Sequence, residues 1–252
     1  MNNREERALA FVNMYAVLGA LRKLCIIDEE AAKLAGEDVS VGISVKDGPE
    51  ATLVFGGGRC EVRDGADKCR IKLPFSSCRK FNGMIDGTVT PIPSRGFLKI
   101  GFLTGNFTAL TKILESYLRP APEKLADPEF FRRSTLLMLN VIASAAAQLG
   151  NTDSIGKASA SYIPDGAVEI SIRGEESVWL TAKDHTLSAV FDRPDRITAF
   201  MSFDNLKLAR DIFDGKANSV ASVGTGGVRI GGMVPQVDNI NRIFDRVALY
   251  LS

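Results

Sequence analysis

One constraint outweighs the rest: the chain spells the same pattern twice. From Phe75 it reads a short amphipathic stretch ending in Asp86-Gly87, then Leu98-Lys99-Ile100-Gly101, then a closing amphipathic run. From Phe203, 128 positions later, the order returns as Asp214-Gly215, Val228-Arg229-Ile230-Gly231 and a second closing run. Leu110, Ile113, Leu114 and Tyr117 align with Ile240, Ile243, Phe244 and Val247, with one two-residue length change over the whole stretch. A repeat this long exceeds a solenoid unit and marks a duplicated domain. Function is therefore to be sought in one module seen twice.

At 252 residues and 45% apolar content the chain can build two ordinary cores. With 31 basic and 30 acidic side chains the net charge is +1, so no global field points to nucleic acid. Cys25, Cys60, Cys69 and Cys78 all lie in the first half, without counterparts in the second. They are not a framework the fold requires. Their wide spacing lacks the C-x-x-C pairing of a zinc or thioredoxin-like site, which leaves reduced thiols in a cytoplasmic protein as the expectation. The first 24 residues read as a charged amphipathic helix rather than a signal peptide. The apolar run after Arg132-Arg133 is interrupted by Asn140 and Gln148, so it reads as a buried helix and not a membrane span.

The joint between modules is legible in Pro120, Pro122 and Pro128, which stop one helix and restrict a linker. The expected division is a first module over 1–119, a linker over 120–128 and a second module over 129–252. Each module opens with an amphipathic helix, about Glu5–Leu24 and Glu129–Leu149. A hairpin follows: Val39–Val45 with Ala51–Phe55 around a Lys46-Asp47-Gly48-Pro49 turn, and Val168–Ile172 with Val178–Thr181 around Arg173-Gly174-Glu175. A third strand (Lys68–Leu73; Arg196–Met201) leads into a helix that stops at Gly87 or Gly215, where a left-handed residue is needed. A further strand pair and a closing helix, apolar at i, i+3, i+4 and i+7, complete each module.

Several chemistries fall away. Gly56-Gly57-Gly58-Arg59 lacks the Lys-Ser/Thr of a phosphate loop and reads as a hairpin loop. The glycines of Gly224–Gly232 are split by strand-like Val228-Arg229-Ile230, so they do not open a dinucleotide-binding helix. His185 is the single histidine, sits in an expected turn and has no ligand spacing around it. No G-x-S-x-G elbow is present. Asp86 and Asp214 recur before glycine, which chain reversal explains without catalysis. No pair of titratable groups converges on a site, so no catalytic residue is assigned, and no metal or cofactor is expected.

The run of helix, Asp-Gly, a hydrophobic-Lys/Arg-Ile-x-Gly strand and amphipathic helix resembles the C-terminal half of the sterol carrier protein type 2 domain, at Phe75–Leu118 and again at Phe203–Leu249. The upstream order of elements is similar too. The resemblance implies an α/β (α+β) fold, with two similar modules that are each a five-stranded mixed sheet covered by helices. It also implies a fatty acyl chain, sterol or similar lipid held in an apolar tunnel between sheet and helices. The positions matching the tunnel are Phe81, Met84 and Ile85 on the middle helix, Phe97 and Ile100 on a strand with Phe102 after it, and Ile113, Leu114 and Tyr117 on the closing helix. In the second copy they are Leu208, Ile212, Phe213, Val228, Ile230, Met233, Ile243, Phe244 and Val247. Phe102 stands against Gly232 and Phe81 against Ala209, so the two cavities differ and one is open to being filled by its own side chains.

Between Arg59 and Lys80, seven basic residues face three acidic ones. Lys68, Arg70 and Lys72 alternate and are expected on one strand face. With Arg59 and Arg63 they form either a solvated surface or a transient docking face for an anionic membrane. No aromatic residues alternate with them, which argues against a single-strand nucleic-acid platform. The resulting expectation is a non-enzymatic, cytoplasmic lipid carrier. The competing expectation is an interaction module with closed cavities that forms a homo-oligomer or serves a partner enzyme.

Overall fold

The structure, a computed structural model, describes residues 2–251. It divides into two units, Met1–Phe130 and Phe131–Ser252, each considered by itself.

The first unit opens with helix α1 (Asn3–Val12), capped by a reciprocal box in which Asn2 Oδ1 accepts from the Arg4 and Glu5 amides and Glu5 accepts from the Asn2 amide. A π-helical turn (Asn13–Val17) and a 3-10 turn (Leu18–Ala20) connect it to α2 (Leu21–Ile27). The wide turn starts at buried Asn13, whose amide donates to Asn82 Oδ1 at 3.1 Å, while Asn82 donates to Glu6. The run Asn3–Ile27 is long and apolar enough to cross a membrane, yet more than half of its apolar window is buried in the fold, as in a core helix. Then come α3 (Glu29–Leu34), β1 (Val39–Val45), β2 (Glu50–Gly56), β3 (Arg59–Asp64), β4 (Ile71–Phe75) and α4 (Cys78–Ile85). A 3-10 turn (Phe97–Lys99), α5 (Ile100–Phe102), a second π-helical turn (Leu103–Phe107) and α6 (Thr108–Leu118) close the unit. The sheet runs β3-β2-β1-β4, an antiparallel meander with β4 returning parallel to β1. Its buried face carries Val41, Ile43, Leu53, Phe55, Ile71 and Leu73, whose period of two is the reason these segments are strands.

The second unit repeats that sheet order with one strand more. Its elements are α7 (Pro128–Thr152), α8 (Ser154–Ala160), β5 (Gly166–Ile172), β6 (Ser177–Lys183), β7 (Thr186–Val190), β8 (Ala199–Phe203), α9 (Leu206–Phe213), α10 (Ser219–Gly224), β9 (Val228–Gly232) and α11 (Val234–Leu251). The sheet is β7-β6-β5-β8-β9, with β8 parallel to β5 and β9 antiparallel to β8. Both Asp-Gly helix stops have the expected glycine in left-handed conformation, φ 70° at Gly87 and 71° at Gly215.

The five-stranded expectation fails in the first unit, which has four strands and one isolated bridge, Lys72 with Arg95. Proline explains it. Lys72 turns its amide and carbonyl to the outer edge of β4, where they meet Arg95 and Ser94, so Pro74 two residues on presents no amide to that edge. In the second unit the corresponding outward position of β8 is Ser202, opposite Arg229 of β9. The segment expected as a strand at Leu98–Gly101, carrying Phe97 and Ile100, is consequently helical.

Other corrections are smaller. The hairpins extend into meanders through β3 and β7, and the strands expected at Lys68–Leu73 and Arg196–Met201 begin at Ile71 and Ala199. In place of a strand pair after the middle helix there is β9 in the second unit alone. Only Lys72 of the basic trio lies in a strand, and Arg59 and Arg63 sit on β3 at the opposite edge of the sheet from β4. Three strand spacings of roughly 4.8 Å separate those edges, so the basic residues form no single strand face.

The closing helices also shift. The buried stripe of the first is Phe107, Leu110, Leu114 and Tyr117; that of the second is Ile240, Ile243, Val247 and Tyr250. Tyr117 donates to Asp28 Oδ2 at 2.9 Å, and Asp28 caps α3. Tyr250 donates to Asp153 Oδ1 at 2.8 Å, and Asp153 caps α8. By this role the counterpart of Tyr117 is Tyr250, not Val247.

Candidate functional site

The second unit contains an apolar cavity of about 320 Å³ on the helix-facing side of its sheet. Its floor is Met201 of β8 with Val228, Ile230, Gly231 and Gly232 of β9. One wall is α10, through Ser219, Val220 and Val223; the other is the first two turns of α11, through Val234, Val237, Asp238 and Asn241. The floor follows from strand alternation. Met201 pairs with Ile230 and Phe203 with Val228, which puts all four side chains on one face. The wall of α11 follows from helical spacing, since 234, 237, 238 and 241 are an i, i+3, i+4, i+7 set.

The start of α11 is held in place by polar contacts beside the cavity. Fully buried Gln236 accepts from the Thr198 hydroxyl at 2.8 Å and donates to the Pro164 carbonyl at 2.9 Å. Its end is held by Asp153, which takes Arg246 Nε and a second Arg246 nitrogen at 3.1 Å each, besides Tyr250. A helix pinned at both ends keeps its spacing from the sheet without filling the gap. Val220, Ile230 and Val234 are exposed at the mouth, so the cavity opens to solvent. Its polar groups are Ser219, Asp238 and Asn241; Asp238 pairs with Arg242 at 3.1 Å. This arrangement can desolvate an apolar body and leave a polar end near water.

Of the residues anticipated from sequence in this unit, Val228 and Ile230 line the cavity. Ile243 and Val247 belong to the buried stripe, Leu208, Ile212, Phe213 and Phe244 are half-buried, and Met233 is exposed beside the mouth. Phe213 meets Phe203 edge-on at 5.5 Å. Sequence reasoning missed α10, whose Val220 and Val223 sit in a serine- and glycine-rich stretch. It missed the front of α11 because Asp238 and Asn241 break the apolar pattern there. The i, i+3 spacing of the two valines was the available signal.

In the first unit, Phe81 is fully buried and packs edge-on to Phe75 at 5.4 Å. Phe102 is buried against Phe55 at 5.3 Å, and Phe107 meets Phe55 at 6.2 Å. This aromatic cluster occupies space between sheet and helix with protein atoms. Leu114 is buried, Met84, Ile85 and Ile113 are half-buried, and the Tyr117 ring stacks on Phe130 at 4.7 Å. Phe97 and Ile100 are exposed at 61% and 46%. They line no interior wall.

No family model matches the sequence, and no curated protein does. Among solved structures the chain is similar to a UbiJ-SCP2 ubiquinone synthesis protein, at 14% identity and TM-score 0.36, covering 45% of this chain and 96% of that one. It is similar also to sterol carrier protein domain 2 of Helicoverpa armigera, at 12% identity and TM-score 0.37, covering 44% and 88%. A third is sterol carrier protein 2 from Yarrowia lipolytica in its apo form, at 16% identity and TM-score 0.30, covering 41% and 90%. Each likeness spans less than half of this chain, at identity too low to bear on activity.

Proposed function

We propose that the second unit binds and carries an apolar small molecule, a lipid tail or a compact lipid, in the cavity between β8, β9, α10 and α11. The observation that carries this reading is the cavity itself. A solvent-opening apolar cavity of about 320 Å³ lined chiefly by aliphatic side chains lies at the lower end of small-molecule sites, roughly 300–1,000 Å³. The driving force is desolvation, about 0.8 kcal/mol for each buried CH₂. The protein is a carrier, not a catalyst, and no residue is assigned to chemistry. Its four free thiols support a reducing, cytoplasmic setting.

Organic extraction of purified protein with mass spectrometry, joined to titration with a fluorescent fatty acid, tests the reading. The expected result is one ligand per chain, lost in Val223→Trp, which fills the cavity from α10. No extracted lipid together with no saturable titration would end it.

A further inference from the structure

The first unit projects an apolar turn where the second unit has its fifth strand. Leu98 is fully exposed, Phe97 and Ile100 are 61% and 46% exposed, and Ile92 upstream is exposed too. Such side chains in three of four consecutive positions need an occupant, because scattered surface leucines are ordinary but a cluster is not. The turn is also held rigidly. Lys72 donates its amide to the Arg95 carbonyl at 3.1 Å and accepts from the Ser94 amide at 2.8 Å. Gly96, at φ 90°, passes so close to Arg70 and Ile71 that a Cβ would stand 2.8 Å from the Ile71 Cα. On the other side Lys99 pairs with Glu37 at 2.5 Å, and buried Phe102 roots the turn against Phe55. The apolar tip therefore stands out from a fixed base.

That base is positive. Asp67–Lys72 and Arg95–Ile100 together carry Lys68, Arg70, Lys72, Arg95 and Lys99; Asp67 pairs with Lys72 at 3.1 Å and Glu37 with Lys99, which leaves Lys68, Arg70 and Arg95 as the surplus positive charge. Arg95 directs its guanidinium to backbone carbonyls, Asp67 at 2.9 Å and Cys69 at 2.6 Å, which orients its charge without neutralising it. We propose that Phe97, Leu98 and Ile100 insert into the interface of an anionic lipid bilayer while Lys68, Arg70 and Arg95 lie against its headgroups. Charge selects this occupant over a second copy of the chain: a two-fold contact would face each cationic base with its own image. Size agrees, since three side chains fall far short of the roughly 800 Å² per partner of a stable protein interface. A shallow apolar wedge with a basic collar is what a bilayer surface holds. The proposal does not depend on the cavity of the second unit, and docking of one unit would bring the other to a source of lipid.

The test is flotation of the full chain with phosphatidylserine-containing and pure phosphatidylcholine vesicles, beside a Phe97→Ser, Leu98→Ser double variant and Arg70→Glu. Wild type is expected to float with the anionic vesicles and far less with the neutral ones. The double variant should lose about tenfold in affinity with an unchanged thermal midpoint and unchanged fluorescent fatty-acid titration. Arg70→Glu should lose at least about fivefold, roughly 1 kcal/mol per basic residue, and show a weaker salt dependence. The proposal is overturned if wild type ignores anionic vesicles or if both variants bind as wild type does. It is equally overturned if the serine substitutions alter only a dimer seen by sedimentation, which would assign the turn to self-association.

Discussion

The two units share a meander and a parallel fourth strand, and they part company at the strand that should come fifth. In the second unit the outer edge of β8 accepts β9, and β9 becomes the floor of a cavity. In the first, Pro74 leaves the outer edge of β4 without an amide at the position where Ser202 supplies one, and pairing stops at a single bridge. The chain that would have made the strand coils instead, rooting Phe102 in the core and leaving Phe97 and Leu98 outside. One imino acid thus separates a module whose sheet edge carries a fifth strand and a cavity from a module whose edge carries an exposed apolar turn. The lesson is that a ladder depends on each outward amide, and removing one changes which face of a segment is available for function.

The largest expected effect comes from attacking what the first unit uses in place of the strand. Phe102→Ala deletes a ring buried against Phe55 and should cost about 3–5 kcal/mol. Because Trp179, the single tryptophan, lies in the second unit, the loss should appear as an early circular-dichroism transition in urea that leaves the tryptophan transition in place. If both move together, the units do not unfold independently. Next is Ser202→Pro, which gives β8 the edge chemistry of β4. It should destabilise the second unit by up to about 3 kcal/mol for the ladder bond lost and the partner left unpaired, lower the Trp179 midpoint and abolish fatty-acid titration. Retained titration would mean that β9 is not the floor of the binding site.

Much of this is legible in the sequence. Alternation at Val39–Val45 and Val168–Ile172, the turns after them and the glycines after Asp86 and Asp214 are local signals, and the chain obeys them. The pattern of Leu98–Gly101 suits a strand, while the reason it does not pair lies more than twenty residues away at Pro74. In sequence the closing helices align three residues out of step, because Val247 and Tyr250 both fit an apolar stripe. Only the hydrogen bond to a capping aspartate tells them apart, and that contact spans 97 positions for Tyr250. The cavity wall is hidden in the sequence for the opposite reason: Asp238 and Asn241 are polar and interrupt the apolar periodicity of α11.

The same aspartate-tyrosine contact supplies the smallest and sharpest test of the comparison. Asp28 in the first unit and Asp153 in the second each cap a helix and accept a tyrosine hydroxyl from the closing helix. At the second an arginine joins the pair from the closing helix itself: four residues before Tyr250 stands Arg246, which bonds Asp153, where four before Tyr117 stands Ile113. Burial alone would raise the Asp153 carboxyl, but hydrogen bonds from Arg246, the Gly156 amide and Tyr250 outweigh it and hold the group below its ordinary 3.8. A depressed carboxylate stabilises the fold above its unfolded value and stops doing so as pH falls through the folded one. The second unit should therefore weaken in acid as pH drops below about 4, read by the Trp179 midpoint in urea. Arg246→Ile, which copies the first unit, should cost about 1.5–3 kcal/mol at neutral pH, the range for a hydrogen bond to a charged group, and flatten that acid limb. If the limb keeps its steepness in the variant, Arg246 is not what depresses Asp153, and the arginine does not distinguish the second closing helix from the first.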